Sequence, residues 1–178
     1  PVLEQFERVT INTSFDATGS LEEYLRTGTD YARQQANFVK IFDIDNLAWQ
    51  GINTVLQVTN AFDLEQWFVE LYELGVAEGG DRFVGINLLP LVDPMYLCVE
   101  WLDNDHKQLI MDQLTSLRGR YRSNDGVQSR LHIVETELHR ELDTAQCRAD
   151  YVRHTAALDR IRGTNVLDHV PHLQRYFD

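Results

Sequence analysis

Val9-Thr10-Ile11-Asn12-Thr13-Ser14-Phe15 is the stretch that decides the fold. Val9, Ile11, Thr13 and Phe15 alternate with Thr10, Asn12 and Ser14. A period of two is the mark of a strand with two unlike faces. Asp16-Ala17-Thr18-Gly19 follows as a turn, and Ser20 with Glu23 forms a capping box for a short helix to about Arg26. Gly28 ends that helix. Asp30 caps a second one, with Tyr31, Phe38, Val39 and Phe42 at its apolar positions. Asp43–Gln50 reads as a loop. Gly51–Thr59 is the second strand, with Ile52, Thr54, Leu56 and Val58 on one face and Asn53, Val55, Gln57 and Thr59 on the other. Asp63 and Gln66 open a helix whose stripe is Leu64, Trp67, Phe68, Leu71 and Tyr72. Gly75 is expected to end it. Phe83–Leu89 is the third strand, stopped by Pro90. Strand–helix–strand–helix–strand predicts βαβ units, a mostly parallel sheet and right-handed crossovers.

Beyond Asp93-Pro94 the chain turns helical. A short apolar stretch, Met95–Leu102, precedes a helix from Asp103 to about Arg118. Tyr121–Val127 is polar and turn-rich. Gln128 to about Ile161 reads as one helix, with Leu131, Val134, Leu138, Leu142, Ala145 and Val152 along it, closed by Gly163. A last turn or short helix surrounds Pro171. The expected architecture is α/β, with helices on one face of the sheet over residues 1–102 and a helical C-terminal portion over residues 103–178. There is no internal repeat beyond one strand–helix unit.

Composition excludes several classes. The chain has 178 residues, 43% apolar and 25% charged, which is ordinary globular usage. A formal charge of −12 argues against generic nucleic-acid binding and against adhesion to an anionic membrane. No apolar run has the length of a transmembrane helix. Pro1–Thr10 lacks the basic start and apolar core of a signal peptide. The two cysteines, Cys98 and Cys147, stand far apart, and the default expectation is reduced thiols in a cytoplasmic protein.

Parallel strands are normally buried on both faces and read as continuous Val/Ile/Leu runs. These strands carry polar groups on one face: Thr10, Asn12 and Ser14; Asn53, Gln57 and Thr59; Asn87 beside Gly85. A ligand, the interior of an open barrel or another protein would satisfy them. So would water on a mixed sheet, or the chain's own C-terminal helices. Ser14, Asp16, Thr59, Asn60 and Asn87 fall at predicted carboxyl ends, the edge where ligands sit in open α/β sheets.

These residues also carry a resemblance. Val9–Ala17 followed by Glu23-Tyr24-Leu25-Arg26-Thr27-Gly28-Thr29-Asp30 is similar to the fourth strand and helix of radical S-adenosylmethionine (SAM) proteins of the twitch type. Asn53–Leu64 resembles that family's fifth strand. Gly85-Ile86-Asn87-Leu88-Leu89 with Asp93-Pro94-Met95-Tyr96-Leu97 resembles its sixth, and Leu158–Gly163 with Pro171–Phe177 its closing segment. The order is right over most of the chain. The family's CxxxCxxC loop, which holds a 4Fe–4S cluster, and its Gly-Gly-Glu motif are not present, and Ala17 stands where Gly is usual. The resemblance therefore implies the cluster-less half of a six-stranded barrel: three βα units forming a half-barrel sheet. It implies that Asn12, Ser14 and Asp16 approach the SAM ribose and that Gln57, Thr59, Asn60 and Asn87 line the interior near the adenosyl group. It implies SAM as a possible cofactor and a 4Fe–4S cluster only through a partner chain bearing the CxxxCxxC half.

The chain alone is expected to be no competent radical enzyme. The alternative is a non-enzymatic binding or assembly module, self-associating through the open sheet edge or held by a partner. A third reading takes the sequence as a segment of a longer enzyme, and Pro1 does not decide it. Other chemistry is thin. His132, Glu135 and His139 share a helix face and could ligate a metal, but read first as a solvated polar face. There is no phosphate loop and no nucleophile elbow.

Overall fold

The computed structural model describes residues 2–178, apart from the Glu4 side chain; Pro1 lies outside the described residues. A three-stranded parallel sheet in the order β1-β2-β3 is formed by Val9–Ser14, Leu47–Leu56 and Phe83–Pro90, and it is not closed. The α/β class and the helical C-terminal part are as the sequence predicts.

Between β1 and β2 lie α1 (Gly19–Leu25) and α2 (Tyr31–Lys40). The side chain of Asp30 accepts from Arg33 N–H and caps α2, as expected. The start of α1 differs. Thr18, not Ser20, is the N-cap, and the acidic side chain that reaches back is Glu22 rather than Glu23. β1 pairs with β2 from Val9↔Leu47 to Ser14↔Asn53, with one irregularity between Val9 and Thr10. β2 begins at Leu47, inside the expected loop, and ends at Leu56.

The run after β2 is α3 (Leu64–Trp67), a π-helical turn (Phe68–Tyr72) and α4 (Glu73–Gly79). Gly75 does not end this helix. It sits within α4, where a Cβ would stand 2.5 Å from the Phe83 ring, and a Cβ on Gly79 would stand 2.5 Å from Phe42. Both glycines are there for close approach of helix and ring. The ring cluster Phe15, Phe38, Phe42 and Phe83 packs edge to face, with Phe38 centroids 5.7, 5.5 and 6.3 Å from the other three in that order. Such pairs add about 0.5–1.5 kcal/mol each beyond area burial.

The C-terminal region holds α5 (Asn104–Arg120), α6 (Asp125–Leu138), α7 (Thr144–Arg162) and α8 (Gln174–Phe177). The single helix expected over Gln128–Ile161 is two. The chain breaks after Leu138, and Asp143 starts α7 by accepting from Gln146 N–H. Gly163 closes α7 in the left-handed region, φ +67°. The chain divides into two compact units, residues 1–54 with 66–88 and residues 55–65 with 89–178. Among the described residues no helix is long and apolar enough to cross a membrane.

Candidate functional site

In the first unit, the two faces of the sheet differ. Gln50 is fully buried and donates to Thr13 Oγ1 and to the Phe38 carbonyl of α2, so Thr13, Gln50, Ile52 and Thr54 face the helices. By alternation Thr10, Asn12 and Ser14 of β1, and Trp49, Gly51 and Asn53 of β2, face the other way. Thr10 and Asn12 are exposed, and Val84 of β3 is 60% exposed. A Cβ on Gly51 would lie 2.9 Å from Asn12 Oδ1 and 3.3 Å from Val84 Cγ2, so the lack of a side chain at Gly51 is what lets Asn12 and Val84 approach the strand this closely. In β3, half-buried Asn87 alternates with buried Ile86 and Leu88 and points away from them.

The turn after β1 is held from below. Glu22 is fully buried; its Oε2 accepts from Asp16 N–H at 2.8 Å and Ala17 N–H at 2.9 Å, and its Oε1 from Gln34 Nε2 at 3.1 Å. Burial raises its pKa, and the two backbone N–H groups work against that rise. Asp16, named for the ribose, receives the Arg26 guanidinium at 2.8 and 2.9 Å. Gln34 also donates to the Ser14 carbonyl at 2.7 Å. An open cleft of about 290 Å³ borders β1 and α2, lined among others by Thr13, Asp30, Arg33, Gln34 and Phe38.

The other three sequence-named residues lie in the second unit, past the end of β2. Asn60 is buried in a turn: its Oδ1 accepts from Gln57 N–H at 2.8 Å and its Nδ2 donates to the Val55 carbonyl at 2.8 Å. Buried Thr59 hydrogen-bonds the Tyr151 hydroxyl at 3.1 Å, and burial pushes the Tyr151 phenol up to about 12. Gln57 is half-buried. The structure thus groups Asn12, Ser14 and Asp16 on and just beyond β1, sets Asn87 on β3, and builds Gln57, Thr59 and Asn60 into a turn of the second unit.

Sequence reasoning missed Glu22, whose signal was present. An acid placed in the first turn of a helix after a strand can cap the preceding loop. It also missed a polar cluster at the start of α5. Asp103 caps α5 and meets Tyr176 Oη at 2.6 Å, His106 Nδ1 at 2.9 Å and the Arg175 guanidinium. His106 Nε2 donates to the His172 carbonyl at 2.7 Å. Burial raises the Asp103 pKa, but its bonds from Arg175, Tyr176 and His106 outweigh burial and hold it well below the usual range.

Cys98 and Cys147 are free and buried; burial pushes Cys98 up to about 11 and raises Cys147. Burial thus favours the neutral thiol at both positions. Glu135 of α6 pairs with Arg118 of α5 at 2.6 Å, and His139 Nδ1 bonds the Glu135 carbonyl at 2.7 Å at the end of α6. No group of three or more His, Cys, Asp or Glu among the described residues is arranged to hold a metal ion. No family model, curated protein or solved structure matches the chain.

Proposed function

We propose that this chain is the cluster-less half of a radical-SAM-like barrel and acts with a separate cysteine-bearing half. One observation carries the reading: an unclosed parallel βα sheet with helices on one face and uncommitted polar side chains on the other. An amide or hydroxyl on a strand face, neither buried nor paired within its own sheet, is a group a ligand can use at little desolvation cost.

On this reading Asn12 and Ser14 hydrogen-bond the ribose hydroxyls of SAM, and Asn87 faces the adenosyl group. Gly51 lets the Asn12 amide lie close against the sheet, where a Cβ would push it away. Asp16 reaches the ribose only while still bound to Arg26, so its part is to fix the turn that presents Ser14. Thr59 and Asn60 shape the end of β2 rather than contact the ligand. The buried thiols here do not fit a 4Fe–4S cluster. That group comes from the partner's CxxxCxxC loop, and when bound there it supplies the electron for reductive cleavage of SAM.

The test is co-expression with a neighbouring reading frame that encodes the CxxxCxxC half. A brown complex that releases 5′-deoxyadenosine from SAM in the presence of a reductant is the expected result. Failure of the two chains to co-purify removes the reading for that pair. The engagement of Asp16, Thr59 and Asn60 in contacts of the fold favours a second reading, a non-enzymatic binding module built on the same half-barrel. Micromolar SAM binding by this chain alone, measured by calorimetry, would count against it.

A further inference from the structure

The two outer strands of the sheet are finished differently. β3 carries Gly85 at φ +96°, which breaks the strand's regular alternation, and ends on Pro90, which has no N–H to offer. Irregularities and prolines of this kind are how edge strands are kept from pairing with other chains. β1 has neither. Its Val9 and Phe15 N–H groups reach the Asn46 and Asn53 carbonyls at 3.0 Å. By the period of two, Ile11 and Thr13 also face β2, and Thr10, Asn12 and Ser14 turn their N–H and C=O groups outward. Of these, the Ser14 carbonyl accepts from Gln34.

We propose that the β1 edge pairs with the β1 edge of a second copy of this chain, antiparallel about a two-fold axis at Asn12. Such an interface is self-complementary and closes on itself. Asn12 then exchanges both hydrogen bonds with its counterpart, and Thr10 lies opposite Ser14. These facing side chains are small and uncharged, so the net charge of −12 is not concentrated where the copies meet. The same register sets exposed Arg8 opposite Asp16 of the second copy, a charge match just beyond the strand on each side. On the helix side Ile11 faces Thr13, and the cleft beside Thr13, floored by Phe38 and Ile41, leaves room for them. The guarded β3 edges limit growth to two copies.

Sedimentation velocity on the chain alone, from low to high micromolar, tests this. The wild type is expected to dimerise with rising concentration. Asn12→Pro removes an outward donor from each copy while leaving the β1–β2 ladder intact, and should weaken dimerisation about tenfold or more. Arg8→Glu, an exposed change that spares the fold, should weaken it in the same direction. Amide exchange at Thr10 and Asn12 should slow as concentration rises. A wild type that stays monomeric throughout, or a dimer indifferent to both substitutions, overturns the proposal. No SAM and no cysteine-bearing half is involved, so this result and the co-expression result can fail independently.

Discussion

The polar face of the sheet and the polar cluster at the start of α5 contain similar side chains in opposite circumstances. On the sheet, Asn12 is exposed and lies over a glycine. In the cluster, Asp103 is met at once by Tyr176, His106 and Arg175, and His106 uses its second nitrogen on a backbone carbonyl. Polarity alone does not mark a site. A polar group already answered within its own unit holds the fold, and one left facing outward is available for recognition.

The largest expected effect comes from breaking the closed network. Asp103→Ala removes the α5 cap and strands buried His106 and Tyr176, and should cost about 2–4 kcal/mol, read as a fall in the urea midpoint at unchanged slope. A loss below about 0.5 kcal/mol, the size of an ordinary surface change, would show that the cluster is not what holds α8. Acid probes the same group more gently. Its folded pKa is depressed, so its stabilisation is complete above the unfolded value of about 4 and is lost as pH falls through and below it. Thermal midpoints of the wild type should drop there, and Asp103→Asn should flatten that slope; an unchanged slope would exclude Asp103 as its source.

Gly51→Ala tests the close approach of Asn12 to the sheet. The new methyl must displace Asn12 Oδ1 and press on Val84, so about 1 kcal/mol of destabilisation is expected. If the proposed function holds, the SAM affinity of the co-expressed complex should fall further than that stability change accounts for. Asn12→Ala and Asn87→Ala stand at the small end. Each should move stability by less than about 0.5 kcal/mol while lowering SAM binding. If either unfolds the protein, its side chain belongs with the closed network and the contrast drawn above is misplaced.

Much of the fold was legible because strand alternation and acidic caps are local. Val9–Ser14, Phe83–Pro90, the Asp30 and Asp103 caps and the Gly163 stop follow from neighbouring residues alone. What was misread depends on distant partners. Gly75 looks like a helix end until Phe83 is known to need the space. Leu138 and Leu142 keep helical spacing across a break that Asp143 restarts. The expected loop Asp43–Gln50 holds the start of β2, where Gln50 is buried against α2 and bonded there. For the site, sequence placed Asn12, Ser14 and Asn87 on strands, but it could not show that Thr59 would be taken by Tyr151, almost a hundred residues further along the chain.

The pairing of β1 with β2 has a consequence for the life of the chain before it is folded. The register Val9↔Leu47 joins segments separated by the whole α1–α2 excursion, so this ladder forms only after that loop has closed. During synthesis β1 emerges first and waits, with both of its edges bare and Val2, Leu3 and Phe6 beside it. A waiting strand with unpaired edges and apolar neighbours is a nucleus for insoluble aggregates. Yield of soluble protein should therefore respond to growth temperature and expression rate more than to any change in the finished helices.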